Sequence, residues 1–218
     1  MYHKAMRTET DENGKPLSNH ETIRRRVMAG IGTCDIPGAI RRYGLREDAT
    51  YLYVDYMTRA YRIDKTSGLV EWIQEGNVQE ADFNEVLTLY DLLFYAKEGA
   101  HLSGAFTPVQ NLTKVQTTAI YAGKGGMSKY EAYWDERTKE LAEACQRLGG
   151  VPDGKGDVSF RIPFFQDLSM IMQFWRSDED FPASLQFLFD ENMLQFLHYE
   201  TTWYVISHFL SLLRSDPS

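Results

Sequence analysis

Residues 50 to 73, TYLYVDYMTRAYRIDKTSGLVEWI, switch the hydrophobic period of the chain to two, and no other feature constrains the fold as much. Tyr51, Tyr53 and Asp55 alternate with Leu52, Val54 and Tyr56. The alternation resumes at Tyr61 and Ile63, and after the turn-forming DKTSG it continues through Leu69, Val70 and Trp72. Successive side chains of a strand point to opposite faces, so this pattern predicts a three-stranded antiparallel meander. From Ala81 to Lys97 the period returns to 3.6. Phe83, Val86, Leu87, Tyr90, Leu93 and Phe94 form one wide apolar face, which must pack on the sheet to be buried.

The same reading extends outward. Ile23, Val27 and Met28 predict a short amphipathic helix. A second runs through DIPGAIRRYG, with Asp35 as cap, Pro37 in the first turn and Gly44 as stop. The segment from Glu98 to Met127 has no sustained period and reads as an irregular loop region. At Ser128, Glu131 three residues on suggests a capping box, opening a helix that continues through Leu141, Cys145 and Leu148 to Gly149 and Gly150. Three further strands follow at Val158 to Ile162, Leu168 to Phe174 and Leu185 to Phe189. The last helix, HYETTWYVISHFLSLLR, is apolar around so much of its circumference that it belongs at the centre. The expected fold is therefore α+β: a single domain over residues 20 to 218, with two antiparallel strand sets covered by helices and a polar arm at residues 1 to 19.

Composition narrows the function. A net charge of −8 opposes binding to nucleic acid or an anionic bilayer. Cys34 and Cys145 are too few for a disulfide framework and lack metal or redox spacing, which suits a reducing cytoplasm. No secretory h-region or run of about 18 apolar residues appears, so a soluble cytoplasmic protein without membrane partners is expected.

The chemistry-bearing candidates concentrate near the carboxy terminus. Asp178 and Glu179 follow the aromatic pair Phe174 and Trp175, and Phe181 opens the return towards Asp190 and Glu191. Exposed, such carboxylates merely blunt a sheet edge. Turned inward against Asp190, His198 or Glu200, they demand a cation, an arginine or raised carboxyl pKa values. His198 and Glu200 sit about 200° apart on a helix, which excludes the one-face arrangement of H-E-x-x-H, and no metal set is read. In AGKGGMS, Lys124, Gly125 and Gly126 precede a helix and offer N–H groups and an ammonium to an anion, although the phosphate-loop pattern is absent.

The stretches FWRSDEDFPASLQFLFDEN and LHYETTWYVISHFL resemble the signature blocks of the domain of unknown function 3786 family of bacterial and archaeal proteins. YRIDKTSGLV and LTLYDLLFYAKEGAHLSG are similar to its earlier segments. The resemblance spans residues 22 to 214 and points to Trp175, Asp178, Glu179, Phe181, Pro182, Asp190 and Glu200 as signature positions. No activity comes with it. Relatives joined to iron–sulfur modules imply a setting in anaerobic one-carbon or corrinoid metabolism, and the clustered cysteines of those modules are missing here.

The expectation is a non-catalytic accessory protein that binds a small ligand, a cation or a protein partner around Trp175, Asp178, Glu179, Phe181, Asp190, His198 and Glu200; its cofactor is unknown. Two alternatives stand beside it: an enzyme using Asp178 or Glu179 as base with His198 as acid, and a purely structural interaction module.

Overall fold

A computed structural model describes residues 15–113 and 127–213. The elements are α1 (Asn19–Ala29), α2 (Ile36–Tyr43), β1 (Arg46–Glu47), β2 (Tyr51–Tyr56), β3 (Arg59–Asp64), β4 (Val70–Gln74), β5 (Asn77–Glu80), α3 (Phe83–Phe94), β6 (Phe106–Pro108), α4 (Ser128–Trp134), α5 (Thr138–Arg147), β7 (Val151–Pro152), β8 (Val158–Phe165), β9 (Leu168–Trp175), β10 (Ser184–Asp190) and α6 (Tyr199–Leu212). Short 3₁₀ turns at Ile31–Thr33, Val109–Asn111 and Met193–Gln195 join some of them. The fold is α+β with two antiparallel five-stranded sheets, ordered β1-β2-β3-β4-β5 and β6-β10-β9-β8-β7.

Each sheet is wider than the sequence pattern announces. The expected antiparallel meander forms as β2-β3-β4, with Leu52 opposite Ile63 and Ile63 opposite Val70. It gains β1 and β5, whose residues are all exposed and therefore carry no apolar alternation. The second set gains β7 and β6, which are too short to show a period.

The predicted caps divide. Asp35 accepts from the Gly38 N–H at 2.9 Å, and Gly44 closes α2 at φ 62°, in the left-handed region that glycine enters freely. The Ser128 capping box does not form. Met127 is the N-cap of α4, and Glu131 instead accepts from the Leu185 N–H of β10 at 3.1 Å, so its carboxylate ties a helix to a sheet edge. The helix expected to continue to Leu148 breaks after Trp134 and restarts at Thr138, with Arg137 at φ −124° between the halves. A capping box does occur at α3, between Asp82 and Glu85.

α6 is the central helix, as its breadth of apolar surface requires. Its His208 stacks on Tyr56 of the first sheet with ring centroids 5.1 Å apart, and its Phe209 meets Phe187 of the second at 6.0 Å. Burying a side chain such as Phe209 stabilises the fold by about 2 to 3 kcal/mol, and through these contacts α6 joins the two sheets. α3 packs against α6, and its buried Glu85 fixes it to the first sheet. One oxygen accepts from the Tyr61 hydroxyl at 2.6 Å and from Arg59 at 2.7 Å, and the other closes the capping box on the Asp82 N–H.

Candidate functional site

The carboxy-terminal end of α3 and the amino-terminal end of α6 meet at Asp91. Its side chain, 10% exposed, accepts from the His198 N–H at 2.7 Å, from His198 Nδ1 at 2.6 Å and from the Thr201 hydroxyl at 2.5 Å. His198 is the N-cap residue of α6 but makes no side-chain cap of its own, so a carboxylate from another helix serves the free donors there. The imidazole packs on Tyr95, with centroids 3.7 Å apart. With Nδ1–H given to Asp91, Nε2 remains as the open nitrogen. Beside this pair lies a groove of about 490 Å³ lined by Val27, Tyr90, Phe94, Glu200 and Tyr204 among others.

The chain leaving α3 forms a loop pinned at both ends. The Lys97 N–H donates to the Gln195 carbonyl at 2.8 Å, and the His101 N–H donates to the Gln195 side-chain oxygen at 3.3 Å. Gly99 turns the loop at φ 74°. At the far end Asp190, 1% exposed, accepts from the Ser103 N–H and hydroxyl at 3.0 Å each, the Gly104 N–H at 2.7 Å and the Asn192 N–H at 2.8 Å. Burial pushes the Asp190 pKa up. The hydrogen bonds from Ser103, Asn192 and Gly104 outweigh it and hold the carboxyl below its ordinary value.

This loop is one wall of a cleft of about 580 Å³. The opposite wall is the last turn of α2 with the β8–β9 turn, where the Gln166 side-chain amide donates to the Tyr43 carbonyl at 3.2 Å. Arg42, Lys97, Glu98, His101 and Asp167 stand around a floor that includes Leu168 and Phe196. The volume falls within the range of small-molecule sites.

The residues expected to share one space are distributed over three places. Trp175 ends β9, and Asp178 is consumed by its own turn, accepting from the Asp180 N–H at 2.9 Å and the Phe181 N–H at 2.8 Å. Glu179 and Phe181 are exposed, Phe181 at 70%. The tip is tethered by Asp135, which receives the Ser177 N–H and hydroxyl, and by Asp157, which receives the Arg176 N–H. Trp175 pairs with Ser184 at one end of β10, whereas Asp190 lies at the other end, about 20 Å away for a seven-residue strand. Among the described residues no hydrogen bond or ion pair links Asp178 or Glu179 to Asp190, His198 or Glu200. The turn hydrogen bonds and tethers that hold the tip face it to solvent. Lys124, Gly125 and Gly126 lie outside the described residues.

Sequence reasoning missed Asp91, the partner of His198, and the cleft residues Lys97 and His101, and it reads Arg42 only as part of an exposed helix face. One signal was present: Asp91 interrupts the apolar run from Leu87 to Phe94, and a carboxylate in such a run needs a partner from elsewhere. Among the described residues no group of three or more His, Cys, Asp or Glu side chains is placed to hold a metal ion, and no described helix is long and apolar enough to cross a membrane.

The family described as domain of unknown function (DUF3786) matches residues 35–211, and the chain belongs to it. No curated protein and no solved structure matches the chain.

Proposed function

We propose that this member of the DUF3786 family is a binding protein for a small polar molecule, held in the cleft between α2, the loop after α3 and the β8–β9 turn. The observation that carries the reading is the wall of that cleft. A buried, unprotonated Asp190 with four donors holds an otherwise irregular loop in one shape, which is what a preformed site requires. In this proposal Asp190 anchors the wall and His198 and Glu200 border the neighbouring groove. Trp175, Asp178, Glu179 and Phe181 form a hairpin surface outside the cleft. The two free cysteines, Cys34 and Cys145, support a reducing, cytoplasmic setting.

The test is a thermal-shift screen of a metabolite library against the chain and against Ala100→Trp, which fills the cleft. A compound that raises the melting temperature of the former and not the latter is expected. Shifts of equal size in both proteins count against the cleft.

One observation favours a second, catalytic reading. Asp91 orients His198 at 2.6 Å with Nε2 left open, the arrangement of a general base. Under that reading Asp91→Asn removes turnover while leaving ligand-induced stabilisation in place; under the binding reading no turnover exists to remove.

A further inference from the structure

The cleft carries two cationic side chains, Arg42 and Lys97, and two carboxylates, Glu98 and Asp167. None of the four is ion-paired among the described residues. Arg42 lies over the Tyr43 ring at 5.8 Å and Lys97 over the Tyr95 ring at 6.0 Å, so neither cation meets an acid. In the open cleft all four are exposed, whereas the more deeply placed arginines are paired: Arg24 with Glu80, Arg59 with Glu85 and Arg62 with Glu71. Each wall of the cleft presents one charge of each sign. Lys97 and Glu98 are consecutive on the loop, and Arg42 and Asp167 are brought to the other wall by the Gln166 to Tyr43 hydrogen bond.

A molecule entering the cleft displaces water from both signs at once. A neutral or singly charged molecule leaves at least one set of charges desolvated without a partner, which is an unfavourable exchange. A molecule bearing both a carboxylate and an ammonium offers a counter-charge to each set. We infer that the ligand is a small zwitterion of the amino-acid type, its carboxylate held by Arg42 and Lys97 and its ammonium by Glu98 and Asp167. This inference rests on the cleft being the ligand site and names the class of molecule that fits it.

The experiment titrates the 218-residue chain by calorimetry with the proteinogenic amino acids, β-alanine and γ-aminobutyrate, each beside its N-acetyl and methyl ester forms. At least one free zwitterion is expected to bind, with both capped forms weaker by about tenfold or more, since each lacks one charge-assisted contact. Arg42→Ala is expected to weaken the free form and its N-acetyl derivative but to leave the ester unchanged; Asp167→Asn is expected to weaken the free form and its methyl ester but to leave the N-acetyl derivative unchanged. The inference is overturned if no zwitterion binds, or if a capped form binds as tightly as its parent. A molecule that is indifferent to capping but lost on Ala100→Trp refutes the zwitterion and keeps the cleft. A tight binder unaffected by Ala100→Trp refutes the cleft as well.

Discussion

Asp190→Asn is the substitution that most directly probes the architecture of the site. The side chain keeps its shape and loses its charge. The carboxylate receives three donors on one oxygen and the Gly104 N–H, at 2.7 Å, on the other. Whichever way the amide is turned, its NH₂ faces at least one N–H, so one bond is lost and a buried donor is orphaned, at roughly 1 to 3 kcal/mol. The remaining bonds fall from charge-assisted to neutral strength, for a total of about 3 kcal/mol. The pH dependence follows from the direction of the shift. The folded-state pKa of Asp190 is lowered, so its contribution is complete above the unfolded value of about 3.9 and is lost as pH falls through the folded value. Urea unfolding followed by tryptophan fluorescence should therefore show a wild-type advantage that is constant near neutral pH and shrinks below about pH 4. Hydrogen exchange at residues 98 to 105 should accelerate in the variant. A loss under about 1 kcal/mol with unchanged exchange in that loop would refute the anchoring argument.

Other residues make further demands. Glu85→Ala strips a buried carboxylate from Arg59 and Tyr61 and should cost about 3 to 5 kcal/mol in chemical denaturation, because Arg59 is left without its partner. Burial and the neighbouring Arg59 lower the His208 pKa to about 4, so between pH ~6.5 and ~4 the unfolded chain takes up the proton first. Stability should fall with pH across that window, by at most about 1.4 kcal/mol per unit from this group, and His208→Gln should flatten the slope. Burial pushes the Cys145 thiol up to about 12, so iodoacetamide should label the partly exposed Cys34 in the folded protein and reach Cys145 only after unfolding. Labelling of Cys145 at the Cys34 rate under native conditions would contradict its placement in the core.

Strand content was readable wherever a face is buried. β2, β3 and β4 alternate because Leu52, Val54, Tyr61, Ile63 and Val70 must leave water, whereas β1 and β5 are held by backbone hydrogen bonds and ion pairs and bury no apolar face, so they write no pattern. The failed cap at Ser128 shows the limit of local rules: Glu131 had two partners within reach, and the one from β10 is invisible in a window of four residues. The acidic stretch after Trp175 leaves two outcomes open in the sequence for the same reason. Asp178 satisfies itself within its turn, a short-range outcome that sequence allows but does not select over an inward fold.

Period and composition by themselves determined the α+β class, the strand cores and the central place of α6, because burial of apolar surface is additive along the chain and repeats with the geometry of each element. The pairing of Asp91 with His198 across 107 positions, the clamp of Asp190 on Ser103 and Gly104, and the set of charges around the cleft were decided only in three dimensions. A polar side chain needs a single well-placed partner, and nothing in its local sequence says how far along the chain that partner lies.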